Sequence, residues 1–146
     1  MGIKELMGLT DADVAKPLPK PTKWSRPFWE GTKQGKLLLK KCNDCGTIDH
    51  PPYLYCTNCM SEKSQWIEAS GKGTLYAYAI NVFGVPFPFW DDMPYVVAMI
   101  DLEEGPRMIS NIVECDHDKL KNGMRLEVVF EKINDDITLP KWRPAR

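Results

Sequence analysis

Two Cys-x-x-Cys pairs separated by ten residues constrain the fold of this 146-residue chain more than any other feature. The first pair is Cys42 and Cys45, and the second is Cys56 and Cys59. Each pair places two thiolates on a tight turn, and two facing turns complete a tetrahedron around one Zn²⁺. Four thiolates fill the coordination shell and leave no position for water or substrate. The spacing therefore predicts a zinc site that is structural rather than catalytic.

The rest of the composition favours a cytoplasmic protein in which paired cysteines bind metal more often than they form disulfides. The N-terminal residues contain no apolar stretch typical of a signal peptide, and no segment is apolar enough to span a membrane. A net charge of -1 argues against a protein whose main role is to cover a phosphate backbone. His50 lies between the cysteine pairs, and we expect it to be a solvated loop residue.

The chain divides into three parts: an extended arm over 1–24, a helix with the four-cysteine zinc ribbon over 25–70, and a barrel over 71–146. Pro17, Pro19 and Pro21 favour an extended strip at the end of the arm. Its few apolar residues leave two outcomes open, docking on another surface or fraying. A short helix should follow, with Ser25 as its N-cap and Gly35 beyond its end. Residues 37–39 are then predicted to form a strand that leads into the first cysteine pair.

Beyond the ribbon, five runs of β-branched and aromatic residues are separated by turn signals. Strands are predicted over 74–83, 95–103, 107–114, 125–133 and 137–142, with a helical turn over 116–122. This order is expected of an OB-fold barrel, although other small barrels share it. The predicted fold class is thus mainly β, with an N-terminal helical arm and a zinc ribbon followed by a five-stranded OB-fold barrel.

The segment over 84–94 interrupts the strand pattern with three prolines and several large apolar residues. Exposing such residues is costly, so the segment either covers a partner or ligand or caps the open end of its own barrel. We favour the first, since aromatic and Met side chains on a loop are typical interface anchors. The predicted partner interface is Phe87, Phe89, Trp90 and Met93.

No catalytic residue is predicted. Cys115 and His117 are close in sequence, but a nucleophile and its base are usually assembled from distant segments, and no second histidine or oxyanion turn completes a site. Lys33, Lys36, Lys40 and Lys41 form a basic cluster that could receive phosphates of a nucleotide-like ligand, although a solvated charged face is the commoner arrangement.

An ordered series of motifs resembles the DUF35 family of acyl-CoA-associated proteins. The series consists of FWEG at 28–31, GKLL at 35–38, the cysteine ribbon, GKGTLY at 71–76, PYVVA at 94–98, EGPR at 104–107, GM at 123–124, VVFE at 128–131 and LPKWRP at 139–144. The resemblance covers roughly residues 25–146, and it implies a rubredoxin-like zinc ribbon followed by an OB-fold.

The resemblance also implies a function. Members of the family are partnered with thiolase-like enzymes, hydratases or aldolases acting on acyl-CoA thioesters, and the benzylsuccinate pathway is one candidate setting. It implies a non-catalytic accessory subunit in a hetero-oligomer with a thiolase-like catalytic subunit. From the basic cluster, Lys36, Lys40 and Lys41 could then contact the phosphates of a shared CoA thioester. The alternative is a single-stranded nucleic-acid binder in which Tyr76 and Tyr78 stack on bases. The near-neutral net charge of the chain argues against this alternative.

Overall fold

The computed structural model describes residues 2–146, beginning with an arm that lies against the 84–94 segment. The arm holds two single-turn helices, α1 (Ile3–Leu6) and α2 (Asp11–Val14), and then runs extended to about residue 22. Thr10 caps α2, because its hydroxyl accepts from the backbone N–H of Asp13 while its own N–H donates to the Asp13 carboxylate. The Lys16 ammonium lies 2.6 Å from the Asp92 carboxylate. Of the two outcomes open for the arm, docking is the one that the structure shows.

Helix α3 (Arg26–Lys33) joins the arm to the ribbon. It begins after Ser25, as predicted, but the Ser25 hydroxyl makes no bond to the helix and accepts instead from the backbone N–H of Thr22 at 2.8 Å. Gly35 follows the helix with φ of +72°, a conformation that glycine adopts without steric cost. Phe28 is buried on the face of the helix that packs into the core.

The ribbon sheet has three antiparallel strands in the order β2-β1-β3. These strands are β1 (Leu38–Cys42), β2 (Ile48–Asp49) and β3 (Ser64–Glu68). Leu39 is buried, and Leu37 just before the strand is buried with it. Both pack in one core cluster with residues of the barrel. The ribbon and the barrel therefore share a hydrophobic core.

The barrel is closed by five strands in the order β4-β5-β6-β8-β7, with β7 pairing back to β4. The strands are β4 (Lys72–Asn81), β5 (Tyr95–Leu102), β6 (Arg107–Ile112), β7 (Arg125–Lys132) and β8 (Thr138–Pro144). A single 3-10 turn, His117–Lys119, lies between β6 and β7, where a longer helical turn was predicted. The predicted OB-fold and the mainly β class are confirmed.

Strand β4 departs most from its predicted bounds, because it ends at Asn81 rather than at residue 83. Gly84 has φ of +74° and turns the chain away from the sheet. Val82 and Phe83 therefore belong to the connecting segment, and the Phe83 side chain is 82% exposed. The apolar segment that follows is a 3-10 helix, Phe87–Asp92. No helix within residues 2–146 combines the length and the apolarity needed to cross a membrane.

The centre of the barrel depends on close packing between Gly73 of β4 and Trp142 of β8. Trp142 is completely buried. A Cβ atom at residue 73 would lie 2.6 Å from Cγ2 of Ile100, 2.9 Å from the backbone oxygen of Asp101 and 3.3 Å from the Trp142 ring. These distances are too short for a methyl group, and the backbone oxygen cannot move without disturbing the β4–β5 ladder.

We expect Gly73→Ala to destabilise the fold by about 1–3 kcal/mol, the usual cost of overpacking a core. Denaturant unfolding of the purified protein measures the change. Thr74→Ala is the matched control, since Thr74 is the next residue of the same strand and is exposed; it should change stability by about 0.5 kcal/mol or less. Equal effects of the two substitutions would contradict the packing argument.

Candidate metal centre and docking surfaces

The four cysteines lie on two turns built in the same way. In the first, the backbone N–H of Gly46 donates to the carbonyl of Cys42 at 3.0 Å, and in the second, Met60 N–H donates to the carbonyl of Cys56 at 3.0 Å. The equivalent residues Gly46 and Met60 both have positive φ, +78° and +63°. A hydroxyl–carboxylate bond of 2.5 Å from Ser61 to Asp44 ties the two turns together. The turns thus hold their cysteines in a fixed relation.

The sulfur atoms are placed as a tetrahedral metal site requires. Sγ of Cys42 lies 3.6 Å from Sγ of Cys59, and Sγ of Cys45 lies 3.5 Å from Sγ of Cys56. All four lie within 4.8 Å of one another. Four thiolates around Zn²⁺, each about 2.3 Å from the metal, would be roughly 3.8 Å apart. The donor set and its spacing therefore fit zinc, and Cys42, Cys45, Cys56 and Cys59 would hold it.

Metal binding requires deprotonated thiols. The backbone N–H of Cys45 lowers the pKa of Cys42. Against a hydrogen bond from the backbone of Ser61, the neighbouring thiols raise the pKa of Cys59 to about 12. The Thr47 hydroxyl lies 3.1 Å from Sγ of Cys45. Hydrogen bonds from the Thr47 side chain and backbone lower the pKa of Cys45 to about 6. A thiolate is thus favoured at this position near neutral pH.

His50 is not the solvated loop residue that we expected. Its ring lies 5.3 Å from the ring of Phe28, and its Nδ1 atom is buried without a hydrogen-bond partner among the described residues. Burial lowers the pKa of His50 to about 4, so the imidazole is neutral at pH 7. The residue packs between the ribbon and helix α3. No local sequence pattern indicated this, because a histidine in a proline-containing loop is usually exposed.

The three lysines suggested for CoA phosphates do not converge on one point. Lys40 and Lys41 are successive residues of β1 and therefore project from opposite faces of the ribbon sheet. The Lys40 ammonium donates to the carbonyl of Tyr53 at 2.6 Å. Lys36 is exposed before the strand begins. A role for these lysines toward CoA stays a prediction.

The predicted interface segment is ordered by contacts of its own. The rings of Phe87 and Trp90 lie 4.8 Å apart, and the Trp90 indole N–H donates to the carbonyl of Val85 at 2.9 Å. Phe89 and Met93 are half-buried, and the Phe89 ring lies 6.4 Å from that of Tyr95. Trp90 remains 39% exposed. Together with Phe83, which sequence reasoning assigned to a strand, Trp90 presents apolar surface to solvent.

Cys115 and His117 are not assembled into a nucleophilic pair. The Cys115 thiol donates to the carbonyl of Asp116 at 3.4 Å. Burial, reinforced by the Asp116 carboxylate, raises the pKa of the Cys115 thiol. A raised pKa is the opposite of what a nucleophilic cysteine needs, since the thiolate is the reactive form.

Sequence reasoning also missed a cleft of about 480 Å³ between helix α3, the loop after His50 and strand β6. Its apolar lining includes Trp24, Trp29, Pro51, Pro52 and Ile109. These residues come from all three parts of the chain, so no local pattern could have revealed it. The one available signal was Trp24, a large apolar residue in an otherwise polar stretch.

Known proteins share both the ribbon and the barrel. A family model described as the rubredoxin-like zinc ribbon domain of ChsH2 matches residues 29–63, and one described as the ChsH2 C-terminal OB-fold domain matches residues 66–131. A chain of the solved Ltp2-ChsH2(DUF35) aldolase superposes with a TM-score of 0.79 at 34% identity, covering 88% of this chain and 100% of that one.

Three curated proteins are informative. The DUF35 domain-containing scaffold protein of Methanocaldococcus jannaschii is 36% identical over 110 residues, covering 74% of this chain and 77% of that protein. The benzoylsuccinyl-CoA thiolase subunit BbsA of Geobacter metallireducens is 27% identical over 120 residues, covering 78% and 79%. The probable enoyl-CoA hydratase alpha subunit of Thermomonospora curvata is 38% identical over 119 residues, covering 81% of this chain but only 37% of that protein.

The zinc-ribbon and OB-fold matches together extend over most of the chain, and the archaeal scaffold protein is matched over most of its own length. The order of elements in the structure, with a four-cysteine ribbon before a closed five-stranded barrel, agrees with both. This chain therefore belongs to the DUF35 family, with the zinc ribbon and C-terminal OB-fold of the ChsH2 type.

Proposed function

We propose that the chain is a non-catalytic accessory subunit that docks on a thiolase-type catalytic subunit and helps to bind a CoA thioester. Relatives of this chain are named as a scaffold protein, a thiolase subunit and a hydratase alpha subunit, and a structural neighbour belongs to an aldolase. Two of these names, the thiolase subunit and the hydratase alpha subunit, refer to enzymes of CoA thioesters. A cytoplasmic location belongs to the same proposal.

The observation that carries the proposal is the apolar surface presented outside the barrel core. Phe83 is 82% exposed and Trp90 is 39% exposed on one segment. Large apolar side chains grouped on a connecting segment are typical of protein interfaces. A partner subunit that covers them would remove this surface from water.

The chemistry of the chain supports an accessory role. Cleavage of a β-ketoacyl-CoA by a thiolase needs a nucleophilic cysteine, a base that activates it and an oxyanion hole. Four of the five cysteines are grouped in the metal centre, and the fifth, Cys115, has a raised pKa. This chain would then contribute binding energy remote from the reacting carbon, and the partner would supply the reacting groups.

The nucleic-acid alternative is weakened by the two tyrosines on which it depends. The Tyr76 ring is covered by the Arg107 guanidinium, 3.3 Å from the ring centroid. Tyr78 is half-buried, and its hydroxyl donates to the carbonyl of Leu120 at 3.2 Å. The pair does not present two free ring faces for successive bases.

The chain is purified from its native host, and mass spectrometry of the co-purifying proteins identifies the partner. Three assays then test the accessory role. Thiolysis or condensation is measured with this chain alone, with the partner alone and with the two co-expressed. We expect full activity only for the co-expressed pair and none for this chain alone. Turnover by the isolated chain would refute the accessory role. Tight binding to a single-stranded oligonucleotide with a steep salt dependence would favour the alternative.

A further inference from the structure

The cleft between helix α3, the His50 loop and strand β6 has apolar walls that remain accessible to solvent. Trp24 is 45% exposed and Ile109 is 66% exposed. Met99, the cross-strand neighbour of Ile109 on β5, is 38% exposed and extends the same apolar face across the sheet. A tryptophan and an isoleucine exposed around a concave surface are typical of a binding site for another molecule.

The polar side chains of the cleft are mostly used within the chain, except for His50, whose Nδ1 atom has no hydrogen-bond partner among the described residues. The Ser110 hydroxyl donates to the carbonyl of Pro140 at 2.7 Å, and the Asn111 amide donates to the carbonyl of Val96 at 2.9 Å. The Lys141 ammonium is paired with the Glu131 carboxylate at 2.5 Å. Since His50 is neutral at pH 7, the walls carry no uncompensated charge. An occupant of the cleft should therefore be mainly apolar, with the Nδ1 atom of His50, unpartnered within residues 2–146, as the one polar position.

The stretch of sequence that contains the cleft residues Trp24 to Trp29 is basic. Residues 16–43 contain eight Lys and Arg residues and a single acidic residue, Glu30, although the whole chain has a net charge of -1. Lys23 and Arg26 flank the lining residues Trp24 and Ser25 in sequence, and both are exposed; Arg26 also lines a neighbouring pocket together with Glu30 and Asp136. Neither Lys23 nor Arg26 forms an ion pair with any residue from 2 to 146. Free cations beside an apolar cleft favour an occupant that carries acidic residues next to an apolar anchor.

We propose that this cleft is a second docking site, which takes an apolar side chain flanked by acidic residues on a surface segment of the catalytic partner. The proposal rests on the proposed function and adds to it the location and the chemistry of the contact. The anchor would pack between Trp24 and Ile109, and the acidic flanks would face Lys23 and Arg26. These contacts lie on β6 and at the start of α3, apart from the residues of the Phe87–Asp92 helix.

The two other classes of occupant fit less well. A single nucleic-acid strand needs cations along the groove between its stacking surfaces, whereas the lining residues that the structure describes for this cleft carry no free cation. A second copy of this chain could offer its own Phe89-Trp90-Asp91-Asp92 segment, but Asp92 is already neutralised by Lys16. Such a contact would also be heterologous and would tend to form open chains of molecules.

Site-specific photocrosslinking in the native host tests the proposal. A benzophenone amino acid is placed at position 109 in the cleft, at position 90 on the other surface, and at position 121, an exposed loop position of the barrel, as a control. We expect position 109 to crosslink to the catalytic subunit, at a peptide that combines apolar and acidic residues. Thermal unfolding of each variant shows that it is folded.

The other outcomes separate this inference from the proposed function. A crosslink to the catalytic subunit at position 90 but not at 109 would overturn the cleft and leave the accessory role standing. A crosslink from 109 to a second copy, to nucleic acid or to a basic peptide would also overturn it. No crosslink to any acyl-CoA enzyme at either position would remove both proposals.

Charge reversal provides an independent test with the purified pair. The double variant Lys23→Glu and Arg26→Glu should weaken binding of the catalytic subunit about tenfold at low salt, and the loss should shrink as salt screens the charges. Lys121→Glu, an exposed change on the barrel, is the matched control and should have little effect. Equal loss in the control, or no loss in the double variant, would contradict the assignment of acidic flanks.

Discussion

Freshly purified protein is expected to contain one zinc ion per chain, and Cys42→Ser is expected to lose the metal and become insoluble or unable to bind its partner. Binding of structural zinc is worth about 10–16 kcal/mol in small zinc domains, more than a domain of this size can lose. Leu37 and Leu39 of the ribbon also belong to the core cluster shared with the barrel, so damage to the ribbon should spread. Elemental analysis and thermal unfolding with and without a chelator measure both effects.

Cys115→Ser is the control for this prediction, because Cys115 is the cysteine outside the cluster. It should leave the zinc content unchanged. Iron in the same four thiolates would colour overexpressed protein red and would still support the site. Protein that is folded and contains neither zinc nor iron would contradict the metal assignment.

The double variant Phe89→Ala and Trp90→Ala is expected to weaken partner binding by about 2 kcal/mol or more, which is about thirtyfold in the dissociation constant. Trp90 is partly exposed, and removing its indole removes apolar area that a partner would bury. The Phe89 ring lies near Tyr95 and near the Lys16 ammonium. Replacing Phe89 should therefore also loosen the N-terminal arm, and part of the change in binding should come from this effect. Titration of the catalytic subunit against wild-type and variant chains gives the binding change.

Thermal unfolding of the isolated variant separates docking from folding. Neither ring belongs to the buried core cluster, so the barrel should remain folded. The single variants refine the comparison, because Trp90→Ala should affect binding with little change in stability. A double variant that yields no soluble protein would show that the segment is part of the core and not an interface.

The fold was predictable because its signals are local and repeated. The cysteine spacing defines the ribbon, and period-2 alternation marks each barrel strand, as in Val96, Ala98 and Ile100, which are all buried. Strand ends were less accurate, since β4 ends two residues before Phe83 at a turn set by Gly84. A glycine inside an apolar run permits a turn with positive φ, but the sequence does not show whether the chain turns there.

The functional surfaces were predictable only where one segment builds them. The four cysteines and the 84–94 segment are short stretches whose residue types indicate their roles. His50 and the cleft depend on distant segments meeting: Phe28 from α3 buries the imidazole, and Ile109 from β6 faces the loop after His50. These long-range contacts lower the pKa of His50 and form the cleft. Neither effect can be predicted from the residues next to His50 or Ile109 in the sequence.

The position of β8 has a consequence for synthesis of the chain on the ribosome. It lies between β6 and β7, and it carries Trp142, the largest of the fully buried side chains of the core. The ribbon can form its sheet and collect its four thiols once residues up to 68 have emerged, since β1 pairs only with β2 and β3. The barrel cannot close until residues 138–144 are available. As each strand from β4 to β7 is synthesised, its inward face lacks Trp142 as a packing partner. We expect these faces to be accessible to chaperones, or to premature association, until residues 138–144 follow.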